Sequence, residues 1–132
     1  MARPIKNGLD YFPFDVQFFS DDKILAVSVE YGVKGEISVV HLLCAIYRHG
    51  YFIEWNDCTR IRLLKELPGV SADLLDKVVH RLVDWGFFDK TLFDTAQVLT
   101  SIGIQSRYFK AKRWKPEATM VHLLYHGDNE NE

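Results

Sequence analysis

Pro68 and Gly69 stand between two stretches with helical apolar spacing, DCTRIRLLKEL and SADLLDKVVHRLVDWG. Proline cannot continue a helix and glycine supplies the turn, so two helices must meet here at a four-residue connection. In the first, Ile61, Leu64 and Leu67 recur at steps of three and mark the inward face, leaving Arg60, Arg62 and Lys65 outside. In the second, Ser71 is placed to cap, and Leu74, Leu75, Val78, Val79, Leu82 and Trp85 form a wide stripe that stops at Gly86. The pair is a helix-turn-helix candidate.

The flanking segments extend this pattern. DDKILAVSVEYG opens with two aspartates, as a helix start prefers, and places Ile24, Leu25, Val27 and Val29 on a short apolar element before Gly32. The glycines of GVKGE then read as a turn into a central helix, GEISVVHLLCAIYRHG, apolar on several sides and closed by Gly50. YFIEW, residues 51–55, alternates as a short strand, and the following NDCT supplies a cap. After Gly86, a run at FF, a polar connection around Asp89 to Thr95 and a second run over Gln97 to Thr100 predict a hairpin, with the earlier strand pairing to it. Ser101 begins a last helix, from about Ile102 to Trp114, which ends before Pro116.

The resulting expectation is a mainly α fold with a small β-sheet. It is a winged helix-turn-helix with an aromatic N-terminal extension and an added C-terminal helix. One domain covers residues 1–116, including the aromatic segment 1–20 and the basic helix 102–115. Residues 117–132 form a tail with a small apolar patch, MVHLLY, and an acidic end, DNENE, expected to be disordered at least from Gly127. At 132 residues and 48% hydrophobic content, such a chain can bury a real core.

Enzymatic chemistry leaves traces that are missing here. The chain has no GxxxxGKS/T loop, no HExxH and no GxSxG. Its five histidines are scattered, His41 and Cys44 make no ligand set, and Glu54 near Asp57 reads as a solvated strand edge. Cys44 and Cys58 lack CxxC spacing and read as a buried and a surface thiol. No catalytic residue, metal, cofactor or small-molecule substrate is therefore expected. Residues 1–20 carry no uninterrupted apolar h-region and no run reaches bilayer length, so a cytoplasmic protein without membrane contact is expected.

The net charge of −2 gives no bias toward polyanions, so the placement of charge matters. From Asp57 to Gly86, Arg60, Arg62, Lys65, Lys77 and Arg81 are balanced by Asp57, Glu66, Asp73, Asp76 and Asp84. The second helix exposes Lys77, His80 and Arg81 among these acids, a weak surface for major-groove binding. The last helix differs: Arg107, Lys110, Lys112, Arg113 and Lys115 occur with no acid between Ser101 and Pro116, interleaved with Tyr108, Phe109 and Trp114. Cations beside rings suit phosphate contact and base stacking. The same pattern also suits two rings packed in the core and cations favoured by the helix dipole. Arg3 and Lys6 offer a second basic point.

YFPFDVQFF, residues 11–19, concentrates Tyr11, Phe12, Phe14, Phe18 and Phe19 near the start of the chain. Either they complete the core of a small domain or they form an interface to a second subunit.

MARPIKNGLDYFPFDVQFF followed by DDKI, then GVKGE, GYFIEW, LVDWGFFDKTLF and LTSIGIQSRYFKAKRW together resemble a Lin-type N-terminal domain, a domain-of-unknown-function family. That family is found at the N-termini of phage and mobile-element replication proteins. The resemblance runs to about residue 113, and the family is itself similar to the N-terminal winged-helix domain of DnaD-type primosomal proteins. It implies a non-enzymatic winged-helix domain acting in replication initiation. The implied partners are DNA, a second copy of the chain, or replication proteins such as a helicase loader or helicase. Its rival is a protein-interaction or oligomerisation module that does not touch DNA.

Overall fold

The computed structural model describes residues 7–127. Among these, a short 3-10 turn, Phe18–Ser20, leads into five helices and two short strands. These are α1 (Asp22–His49), β1 (Ile53–Glu54), α2 (Asp57–Glu66), α3 (Ala72–Asp84), α4 (Lys90–Ala96), β2 (Val98–Leu99) and α5 (Ile102–Lys112). The mainly helical class with a small sheet read from the sequence is the class observed.

Each helix begins at a side-chain cap. Asp21, Asn56, Ser71, Asp89 and Ser101 all accept a hydrogen bond from a backbone N–H in the first turn of α1 to α5 respectively. Helix α1 contains both segments expected from the sequence, joined across a break at Gly32, whose φ of 68° and ψ of −153° suit only glycine. Beyond the break, Val39, Leu42, Leu43, Ile46 and Tyr47 are buried, and this half of α1 is central. Gly69 turns α2 into α3 with φ 84°. Leu75, Val78, Val79 and Leu82 of α3 are buried in the same core cluster as α1.

The hairpin expected over residues 87–100 does not form. Asp89 instead caps α4, accepting from the N–H of Leu92 at 2.9 Å, and Phe93 of α4 is buried with its ring 5.4 Å from His80 of α3. A capped two-turn helix that buries a phenylalanine satisfies more backbone groups than an isolated polar loop. Gln97 closes α4 in the left-handed conformation, and β2 then pairs antiparallel with β1, Ile53 with Leu99 and Glu54 with Val98. The strand before the helix pair thus finds its expected partner, but only one strand of it.

Several apolar positions of the expected elements turn out. Ile61, Trp85, Leu25 and Val29 are exposed. In α2 the buried residue is Leu63, which shifts the inward face by a fraction of a turn from the predicted one. Residues 120–125 lie against α5, with Met120, Leu123 and Tyr125 packed on the core. The acidic end from residue 128 onward lies outside the described residues.

Candidate nucleic-acid interface

Three of the cations of α2 and α3, Arg60, Lys77 and Arg81, are engaged within the chain. Arg81 donates from Nε and Nη2 to the two carboxylate oxygens of Glu30, at 2.7 and 2.6 Å. That hydrogen bonding holds Glu30 below the usual carboxylate range and pushes Arg81 further up. Lys77 pairs with Asp73 at 3.1 Å. Arg60 reaches Asp57 at 2.8 Å and Asp76 at 3.4 Å, and His80 Nδ1 lies 2.8 Å from the carbonyl oxygen of Asp76. Among the described residues, Arg62 makes no ion pair and is exposed. Any phosphate approaching α3 would compete with carboxylates already in place.

The basic end of α5 has a different character. Tyr108 and Phe109 are buried, so these two rings belong to the core. The helix then closes at Arg113, left-handed at φ 57°, beyond which Lys115 is exposed and Trp114 is 37% exposed with its ring edge on Tyr108. Lys112 sits over the Trp114 ring at 4.9 Å, a cation–π arrangement. Lys110, Arg113 and Lys115 are exposed around it, with no acid in the sequence from Ser101 to Pro116. Arg107 stands apart, as it lines a cavity with Phe12, Phe14, Phe18 and Tyr47. Arg3 and Lys6 lie outside the described residues.

The aromatic segment is divided between two roles. Phe18 is buried and Phe12 stacks on Tyr47 at 4.6 Å with 22° between the rings. Phe14 contacts both Phe18 and Phe19, at 4.8 and 6.1 Å, and remains 44% exposed, whereas Tyr11 is 85% exposed. The segment is tied down by the N–H of Leu9, which donates to the carbonyl of Tyr47 at 2.8 Å, and by Tyr108, whose hydroxyl donates to the carbonyl of Asn7.

Sequence reasoning missed one set of residues. Arg48 and His49, at the end of α1, share a cavity of about 550 Å³ with Arg62 and Lys65 of α2. The cations in the last turn before Gly50 were visible as dipole-complementing residues, but their meeting with α2 depends on how the two helices pack. No group of three or more His, Cys, Asp or Glu side chains suited to a metal occurs among the described residues. Cys44 is half-buried, with its thiol pushed up by burial, and Cys58 is exposed.

The model of the Lin1244/Lin1753-like N-terminal family matches residues 11–104, spanning the ring segment, the helix pair and the start of α5. The chain belongs to this family. It is also 36% identical over 126 residues to a protein of Listeria innocua serovar 6a described as an uncharacterized phage-related protein Lin1244/Lin1753. That alignment covers 94% of this chain and 41% of the relative, so the chain spans about two-fifths of the relative's length. No solved structure matches it. No helix among the described residues is long and apolar enough to cross a membrane.

Proposed function

We propose that this member of the Lin1244/Lin1753-like N-terminal family is a DNA-binding module of a phage or mobile-element replication-initiation protein. It works in the cytoplasm by binding and not by catalysis. The order α1, β1, α2-turn-α3, β2, with β2 paired back to β1, supports a winged-helix arrangement whose wing is reduced to α4 and one strand. The similarity of the chain to a protein described as phage-related supports the setting. The observation that carries the reading is the end of α5. There Arg113 and Lys115 flank the partly exposed Trp114 in a segment without acids, whereas Arg81 and Lys77 of α3 are paired internally. Cations and a ring on one exposed turn suit a phosphate backbone with a base beside it. DNA contact therefore belongs on α5 and not on α3.

Salt-dependent binding of fluorescent single- and double-stranded DNA tests this. The Arg113→Ala, Lys115→Ala double variant is expected to bind more weakly, with a log–log salt slope shallower by roughly 0.7 to 0.9 for each cation removed. Absence of binding by the unaltered protein at low salt would sink the reading.

A second reading, an assembly module for a second copy or for a helicase loader or helicase, draws on a separate face. Leu25 and Val29 of α1 lie beside Trp85 around a shallow surface depression, all three exposed, with Phe19 half exposed in the 3-10 turn before the same helix. Sedimentation of a Val29→Asp variant addresses it. If the unaltered protein self-associates and the variant does not, this face is the interface.

A further inference from the structure

The cavity between α1 and α2 has an apolar floor of Ala45, Ile53 and Leu63. Around it stand Arg48, His49, Arg62 and Lys65, against one acid, Glu66. That acid is already shared, with its Oε1 at 3.1 Å from His41 Nδ1 and its Oε2 at 3.7 Å from Arg48. The rim is therefore left with a surplus of positive charge over a low-dielectric floor, which concentrates the field within the groove. Rings lead away from it: His49 lies 5.5 Å from Phe52, Phe52 5.0 Å from Tyr51, Tyr51 5.8 Å from Tyr108, and Tyr108 6.1 Å from Trp114. Tyr108 is buried, so this chain of rings joins the groove to the end of α5 through the core and not along the surface.

We infer that this groove binds single-stranded nucleic acid, an inference that rests on the DNA reading above. A duplex keeps its bases stacked inside and presents phosphates on convex ridges, so it could meet the cationic rim but would leave the apolar floor empty. A single strand can turn a base into the groove while Arg62, Lys65 and Arg48 hold its phosphates. The internal pairing of the α3 cations fits the same preference, because it removes the surface a duplex reader needs.

The test compares three proteins: unaltered, the groove variant Arg62→Ala with Lys65→Ala, and the α5 variant Arg113→Ala with Lys115→Ala. Each is titrated at several salt concentrations with a labelled oligothymidine of about 12 nucleotides, a hairpin duplex of the same strand length, and a polyglutamate peptide. Thermal melts verify that all three fold alike. The unaltered protein is expected to bind the oligothymidine more tightly than the duplex. The groove variant should lose at least about fivefold in affinity at low salt, with a slope shallower by roughly 1.4.

Oligothymidine binding by the groove variant with unaltered affinity and slope, while the α5 variant weakens, would overturn the groove and leave the α5 site standing. Equal binding of duplex and oligothymidine, weakened equally in the groove variant, would overturn the strand preference. Peptide binding lost in the groove variant, with no oligothymidine binding, would reassign the groove to an acidic protein. Failure of the unaltered protein to bind any of the three would remove the groove and the DNA reading together.

Discussion

Gln105 is wholly buried in α5 and uses its amide in four directions. Nε2 donates to Thr100 Oγ1 at 3.1 Å and to the His122 carbonyl at 2.9 Å, while Oε1 accepts from the N–H groups of Leu124 and Tyr125 at 2.6 and 3.1 Å. This meets the full bonding capacity of an amide side chain and fastens residues 122–125 to the helix. Gln105→Leu would leave two backbone N–H groups without partners, and should lower unfolding free energy by about 2–4 kcal/mol in urea titrations. Amide exchange at Leu124 and Tyr125 should accelerate at the same time. Unchanged exchange there would mean that other contacts hold the segment.

Tyr108 makes a pH prediction at the same scale. Burial raises its hydroxyl from 10.0 to about 12, and Tyr47 and Tyr51 are pushed upward for the same reason. Below pH 10 all three are neutral in folded and unfolded chains alike, and their full stabilising effect is present. Between pH 10 and about 12 the unfolded chain releases the Tyr108 proton while the folded chain retains it, so stability falls as pH rises through that window. Tyr108→Phe should flatten the decline, as measured by urea unfolding across the window, at the expense of the hydrogen bond to Asn7.

Among the elements, α1 and α4 show what could be read in advance. The kink at Gly32 was legible because GVKGE interrupts an apolar pattern with two glycines, and Gly32 alone takes the positive φ. Gly32→Ala should destabilise the protein by about 1–3 kcal/mol, since a Cβ is strained at φ 68° and ψ −153°. A calorimetric melting temperature equal to that of the unaltered protein would show that α1 straightens without cost. Helix α4 was misread because DKTLFDTAQ has the polar residues of a turn, and the same Asp89 serves a hairpin connection or a helix cap equally well. Burial of Phe93 beside His80 decides between them, and that contact is 13 residues apart in sequence. Asp89→Ala should cost about 1 kcal/mol of stability through loss of the cap.

At the scale of the whole molecule, the N-terminal segment is a strap over α1 whose two faces differ in purpose. Gly8 lies so close to α1 that a Cβ would overlap the Arg48 carbonyl, and Phe18 and Phe12 bury themselves against the helix and Tyr47. Removal of residues 1–20 should therefore destabilise the domain by about 3–5 kcal/mol or unfold it, judged by circular dichroism. A truncated protein that melts as before would assign all the rings to an interface. The residues left outward, Tyr11, Phe14 and Phe19, remain available for one.

The caps of α2, α3 and α5, the aspartates that open α1, the Pro68-Gly69 turn and the basic run after Ser101 were legible in the chain itself, because each depends on residues within a few positions of one another. The pairing of Arg81 with Glu30, 51 positions away, the burial of Gln105 against residues 122–125, and the meeting of Arg48 with Arg62 and Lys65 were not. Those depend on how α1 packs against α2 and α3 and how the last segment folds back. A charge is visible in one dimension, whereas its partner is set by a three-dimensional distance.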